Sequence, residues 1–318
     1  MPETEPLMRP WLIPESRYLL WGKTGCGTSA LMLAIGHACA GGTDLGIWNA
    51  PRPVKVIYLD GEMSVLDLQD RVREFRKSEA FAPHLTDIDK NMLFLNVEDF
   101  PQFAPLDKPE CLEDFVKVVK DFGAELVILD NIHSLLSHVI KSSRTCARLR
   151  PIMTAIPAAQ LWGHHAGLSG KTPYGGSQIS FGMSGSLKIE GDKLDNGGFL
   201  VKCTVAKPFQ RMRGTVQIEQ DLVFNGSVVQ LATEENAGNY NENPLYAFVE
   251  ANVEKAPGES VQLKDLRARW DIWHIAAEYD DIAPKTFTKN IQAMIGYSKP
   301  VGSGKDQKRA IPNHRLKP

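Results

Sequence analysis

Eight residues, Gly22-Lys23-Thr24-Gly25-Cys26-Gly27-Thr28-Ser29, stand between an apolar strand-like run, Arg17 to Trp21, and an apolar-periodic helical run, Ala30 to Ala40. Glycines at the first, fourth and sixth positions let the backbone turn with its N–H groups facing inward. The N-terminus of the following helix adds its partial positive charge. Such a strand, loop and helix form an anion cradle, which places the chain among α/β folds. The spacing is that of a P-loop, with Gly22 to Ser29 as the nucleotide-binding stretch and Ser29 where the Mg²⁺-binding hydroxyl is needed. The position before Ser29, where this motif carries its phosphate-binding lysine, is Thr28. A register ending on Gly22-Lys23-Thr24 would start at Arg17, inside the strand, and is rejected. Lys23 is the leading substitute for the missing charge. The competing reading is a degenerate loop that binds nucleotide weakly or not at all, so binding and hydrolysis are separate questions.

Around this loop the first two thirds of the chain alternate strand-like and helix-like runs. They are Ser29 to Ala40, Val54 to Leu59, Ser64 to Phe75, Met92 to Val97, Cys111 to Phe122 and Glu125 to Leu129. That alternation predicts a doubly wound, mostly parallel sheet. The runs Val54 to Leu59 and Leu126 to Leu129 are nearly unbroken apolar stretches, as parallel strands covered on both faces require. Ser64 with Asp67 opens a helix in capping-box style. From Gly185 onward short segments (Ser186 to Glu190, Phe199 to Val205, Thr215 to Glu219, Val228 to Leu231) predict an antiparallel extension. The organisation read from these patterns is an ATPase-type domain over 1–233, a linker over 234–243 and a small helical domain over 244–318. The last has the winged-helix type as one reading and contains Leu245 to Val253, Val261 to Trp270, Pro284 to Met294 and a Gly/Lys-rich hairpin candidate.

Two acids follow strands. Asp60-Gly61-Glu62-Met63 ends one and Asp130-Asn131 another, at the carboxyl ends where open α/β sheets assemble their sites. Asp130 is the candidate Walker B carboxylate, holding Mg²⁺ or its water, and Glu62 the residue that orients and deprotonates an attacking water. The run Ala158 to Trp162 leads into Gly163-His164-His165, where His164 is placed to touch a terminal phosphate, a structural histidine being the alternative. The glycine-rich loop from Gly167 to Gln178 carries Lys171 and Tyr174, which suit single-stranded nucleic acid. Lys207, Arg211 and Arg213 cluster between two strands and are candidates to reach a neighbouring subunit's site, or else form a solvated basic turn.

Composition bounds the rest. A net charge of -2 excludes a uniformly basic surface, yet Lys285, Lys289, Lys299, Lys305, Lys308, Arg309, Arg315 and Lys317 face only Asp306 in the final stretch. Lys299, Lys305, Lys308 and Arg309 are therefore candidate phosphate contacts of a nucleic acid, against a merely solvated terminus. Five scattered cysteines without metal spacing fit a reducing compartment. No run approaches the roughly 18 apolar residues of a membrane span, and Met1 to Pro10 lacks signal-peptide character. A cytoplasmic protein without membrane attachment is expected.

With these residues in view, the chain resembles the RepA-like branch of RecA-fold ATPases, relatives of hexameric replicative helicases found on plasmids and phages. The matching pieces are Trp11-Leu12-Ile13-Pro14 before the P-loop, Val56-Ile57-Tyr58-Leu59-Asp60-Gly61-Glu62-Met63, Leu126 to Asn131, and Gly163-His164-His165 followed by Gly175-Gly176-Ser177; they span most of Met8 to about Gly214. The resemblance implies ATP and Mg²⁺ bound between subunits of a ring. It also implies inner loops that touch single-stranded DNA, and a role in replication or recombination alongside other replication proteins. The chain departs from the family at Thr28, and again where Leu168 and Tyr174 stand near positions at which the family often has a lysine and an arginine. The C-terminal segment resembles winged-helix appendages of phage and plasmid replication proteins, and its spacing also fits a small protein-binding domain. A catalytically silent assembly or helicase-loading protein of the same fold is the alternative.

Overall fold

The computed structural model describes residues 5–137, 148–194, 198–208, 218–225, 228–232, 244–276, 281–295, 299–301 and 308–317. The chain divides into two compact units, Met1–Ala237 and Gly238–Pro318.

The first unit is an α/β fold built on one large sheet. Its strands are β1 (Arg17–Gly22), β2 (Asp44–Leu45), β3 (Trp48–Asn49), β4 (Val56–Asp60), β5 (Met92–Asn96), β6 (Leu126–Asp130), β7 (Ala159–His165), β8 (Gly185–Lys193), β9 (Phe199–Lys207), β10 (Gln220–Asn225) and β11 (Val228–Leu231). Between them run α1 (Thr28–Gly41), α2 (Val65–Lys77), α3 (Leu85–Asn91), α4 (Pro109–Phe122) and α5 (Leu149–Ala155). All but β2 and β3 join one sheet in the order β11-β10-β9-β8-β1-β7-β6-β4-β5. Strands from β8 across to β5 are parallel, and β9, β10 and β11 are antiparallel.

This corrects the expected start of the antiparallel extension at Gly185. The segment between β7 and β8 is long enough to cross over, so β8 returns parallel to β1, and reversal begins at β9. Of the expected segment Thr215 to Glu219, residues 215–217 lie outside the described residues, and the strand there runs Gln220–Asn225.

Side-chain parity builds the layers. Tyr18, Leu20, Tyr58 and Ile128 enter one core with Leu31 and Ile35 of α1. Leu19, Trp21, Leu59 and Leu129 enter the opposite core with Phe115 of α4 and Ile152 of α5. Both faces of the central strands are covered, which is why those strands read as continuous apolar runs. Helix α1 is enclosed from Leu31 to Gly41 and so shows no polar stripe. Buried within it, His37 packs among the rings of Phe75, Phe81 and Phe94. Ser64 caps α2, its Oγ accepting from the Asp67 N–H at 3.1 Å.

The second unit orders its elements as α6 (Pro244–Asn252), β12 (Val253–Gln262), α7 (Leu263–Ala276), α8 (Pro284–Ile295), β13 (Lys299–Val301) and β14 (Lys308–Leu316). Its antiparallel sheet runs β12-β14-β13, and its core holds Leu245, Phe248, Leu266, Trp270, Phe287 and Ile311. Trp270 is central: its ring lies 5.5 Å from Phe248 and 5.7 Å from Phe287, and its Nε1–H donates to Asp281 Oδ1 at 3.0 Å. Trp270→Ala is expected to cost this unit about 3–5 kcal/mol. Limited proteolysis across a urea series checks it: cleavage after residue 244 should move to lower urea while cleavage in the sheet unit stays. Unchanged cleavage would contradict the packing.

Candidate functional site

The carboxyl ends of β1, β4, β6 and β7 open on one cleft of about 460 Å³, bordered by the loop after β1, Glu62, Arg71, Asp130, Asn131 and His164. Gly27 precedes α1 in the left-handed region at φ 89° and gives the helix no side-chain cap, so the first-turn N–H groups of α1 remain available to an anion. Gly22 is needed for close approach: a Cβ there would lie 2.3 Å from both the Ile189 carbonyl oxygen and Cys26 Sγ. All of Lys23, Thr24, Gly25, Gly27, Thr28 and Ser29 line the cleft, while the buried Cys26 points away and its Sγ lies 3.3 Å from Thr28 Oγ1.

Asp130 ends β6 fully enclosed. Burial pushes its carboxyl above the ordinary range, against the pull of hydrogen bonds from the Tyr58 and Ser29 hydroxyls. Tyr58 Oη donates to Oδ2 at 2.6 Å. A buried carboxylate next to a serine hydroxyl, short of positive charge, suits a hard divalent cation that completes its shell with water and phosphate oxygens. Among the described residues no group of three or more His, Cys, Asp or Glu side chains is placed to hold a metal ion.

Glu62 stands beyond β4 with its side chain 43% exposed, within reach of water. Its carboxylate accepts from Asn131 Nδ2, which also lies 3.2 Å from His165 Nε2, and His165 Nε2 sits 3.6 Å from Glu62 Oε2. Asp60, at the end of β4, fixes the backbone there by accepting from the N–H groups of Glu62 at 3.0 Å and Met63 at 3.2 Å. Burial raises the Asp60 carboxyl to about 6, opposed by those N–H groups and by Asn96.

His164 is buried at the end of β7. Its Nε2 lies 2.9 Å from the Tyr174 carbonyl oxygen, which can only accept, so that nitrogen carries the proton. Nδ1 is then an acceptor with no partner among the described residues. Burial lowers this imidazole to about 4. Tyr174 also donates its N–H to the His165 carbonyl at 2.8 Å, so the loop carrying exposed Lys171 is tied to the end of β7.

These values carry a pH consequence. His37 and His164 titrate near 6.5 ordinarily and about 4 here, the former mainly through burial as well. Stability that is intact above pH 6.5 is therefore lost as pH falls toward 4. Asp60, moved from 3.8 to about 6, acts in the opposite sense across its own window. Asp130, raised by burial, works in the same sense as Asp60, whereas near pH 5 the His37 contribution by itself is an uptake of about 0.9 proton on unfolding, a slope of roughly 1.2 kcal/mol per pH unit. Thermal unfolding followed from pH 7 to pH 5 should cost the native chain more stability than a His37→Phe chain; equal losses in the two chains would contradict the assignment of His37.

The remaining expected residues lie elsewhere. Lys207 on β9 stands outside the cleft, and its ammonium donates to the carbonyls of Ser180 at 2.7 Å and Met183 at 2.6 Å. Arg211, Arg213 and Lys305 lie outside the described residues. Lys299 opens β13, and Lys308 and Arg309 open β14 in the other unit. Sequence reading passed over Tyr58, Asp60, Arg71 and Asn131. Arg71 had a signal, since it falls at helical spacing from Leu68 and Phe75, at the edge of the inward stripe of α2. A larger groove of about 790 Å³ between α4 and α5 lies away from the strand ends and contains none of these groups.

Residues 1–160 match a family model described as an AAA domain. The chain belongs to the AAA domain family. No curated protein matches it. Among solved structures, a KaiC-like protein from the hyperthermophilic archaeon Pyrococcus horikoshii OT3 is 15% identical with a TM-score of 0.50, covering 73% of this chain and 98% of that one. That likeness shows the shared fold. The AAA domain match and the P-loop geometry together make the first unit a RecA-like P-loop ATPase domain, a class that generally uses ATP and Mg²⁺. No helix among the described residues is long and apolar enough to cross a membrane.

Proposed function

We propose that this AAA domain protein is an oligomeric, DNA-associated RecA-like ATPase of the RepA-like kind, acting in replication or recombination of a phage or plasmid. The observation that carries the hydrolytic part is the pairing of Asp130 with Ser29 and Tyr58 beside a separate carboxylate, Glu62, held by Asn131. Two acids are kept apart for two tasks. Ser29 and Asp130 would hold Mg²⁺, which supplies charge neutralisation on the phosphates when bound. The first-turn N–H groups of α1 and the glycine loop bind the polyphosphate. Glu62 orients a water and takes its proton as the water oxygen bonds to the terminal phosphorus and the bond to the bridging oxygen of the departing ADP breaks. His164, with Nδ1 free to accept, suits a water O–H better than a phosphate oxygen, and its Nε2–H on the Tyr174 carbonyl gives the loop of Lys171 a link to the cleft.

Lys171 and Tyr174 are the proposed single-strand contacts. Lys299, Lys305, Lys308 and Arg309 are the proposed phosphate contacts of the second unit, whose helix, strand, helix, helix, strand, strand order supports the winged-helix reading. Arg211 and Arg213 remain the candidates to act across a subunit boundary. Thr28 favours one second reading, a member of the fold that binds or loads other proteins on DNA without turnover. The experiment is ATP turnover with and without single-stranded DNA, together with the mass of the assembly in Mg-ATP. DNA-stimulated turnover by a ring supports the proposal. A monomer indifferent to DNA overturns it. Lys171→Ala is expected to weaken the DNA stimulation several-fold while leaving DNA-free turnover in place.

A further inference from the structure

We infer that Arg71 supplies the cation that the P-loop lacks at Thr28, so that the terminal phosphates of a bound nucleotide are held from α2 instead of from α1. The inference rests on the nucleotide reading of the cleft given above.

The cleft is short of positive charge. Glu62 and Asp130 border it, Asp60 lies just beneath, and Thr28 is neutral where a lysine would stand. Lys23 and Arg71 are the lysine and arginine side chains on its lining among the described residues. Lys23 leans to one side: a Cβ on Gly170 would come within 2.8 Å of its Cε, and Lys23 also borders a neighbouring cavity of about 270 Å³ with Lys188, Glu190 and Asp192.

Arg71 is placed differently. On α2 it lies at helical spacing from the buried Leu68 and Phe75, exposed at the edge of the stripe they form. Arg73 and Arg76 on the same helix are paired with Asp70 and Asp89, whereas Arg71 makes no hydrogen bond or ion pair with any described residue. Its charge nevertheless bears on Asp130 and Tyr58 across the cleft. A guanidinium without a described partner, on the lining of the cleft that also holds the buried Asp130 carboxylate and a phosphate loop lacking its lysine, has the planar donor fork that matches phosphate oxygens. Because the Ser64 cap of α2 follows Glu62 by two residues, the cation and the candidate base are carried by one turn and the helix it opens.

The test is equilibrium binding of ATP and of AMP to the intact chain in Mg²⁺, for the native protein, Arg71→Ala, Arg71→Lys, Thr28→Lys and the double variant Thr28→Lys/Arg71→Ala. AMP lacks the phosphates in question. Arg71→Ala is expected to weaken ATP about 10- to 100-fold and AMP less than about threefold, with Arg71→Lys between. Thr28→Lys in the Arg71→Ala background is expected to restore ATP affinity, since a charge returned from the other side of the same phosphates replaces the one removed. Equal losses for ATP and AMP, an ATP affinity unchanged in Arg71→Ala, or failure of Thr28→Lys to restore it would each overturn the inference. Native protein that binds neither nucleotide would instead remove the nucleotide reading on which it stands. Arg71 is exposed, so circular dichroism of Arg71→Ala should match the native chain.

Discussion

Glu62→Gln is expected to lower ATP turnover by about 10²- to 10⁴-fold while leaving Mg-ATP binding within a few-fold of native. The amide keeps the size and the contact with Asn131 but cannot accept a proton from water. The surroundings of Glu62 argue for that role. The Asp60 carboxylate fixes its backbone through the Glu62 and Met63 N–H groups, Asn131 orients its side chain, and nearly half of that side chain is open to solvent. A group serving only as a turn former would need the first contact and not the second. Binding and turnover measured on the same preparations separate the two. A Glu62→Gln chain that hydrolyses within about threefold of native would assign the proton to another group.

Asp130→Asn is expected to act on function and stability in opposite directions. Turnover should fall by about 10²- to 10³-fold, and Mg²⁺ should no longer improve ATP affinity, because the buried negative charge next to Ser29 is gone. The nucleotide-free protein should melt at a higher temperature than native. Burial penalises the Asp130 charge, and the amide oxygen still accepts from Tyr58 Oη. Binding at two Mg²⁺ concentrations and a melting curve check both halves. A lower melting temperature with Mg²⁺-dependence retained would make Asp130 a structural acid. Site groups that destabilise the empty fold are a common cost of activity.

The parts of the fold that were legible in the sequence are those where one local rule settles the outcome. Unbroken apolar runs announced β4 and β6 because both faces of those strands are covered, and the glycine spacing announced the loop before α1. Chain direction was not legible. Residues 185–193 alternate as any half-buried strand does, and whether β8 returns parallel depends on the crossover before it. Strand β12 was hidden by Pro257 and Gly258 within a charged stretch, where the ladder shifts register between Lys255 and Ser260. In the site, Gly22 to Ser29, Glu62 and Asp130 followed from motif position. Arg71 and Asn131 gain their meaning only when α2 and the end of β6 are brought to the same cleft. Lys207, read as a candidate to reach a neighbouring subunit's site or else as part of a solvated basic turn, is engaged on carbonyls before β8, a pairing across 27 residues that no local pattern shows.

The central claim is that this cleft turns over Mg-ATP although Thr28 replaces the P-loop lysine. The most direct measurement is steady-state ATP hydrolysis by the native chain in Mg²⁺, with the Glu62→Gln chain, prepared identically, as the blank. The account predicts native turnover at least on the order of tenfold above that blank. Native turnover equal to the blank, in protein that still binds ATP, would contradict it and leave a nucleotide-binding RecA-like protein without hydrolysis.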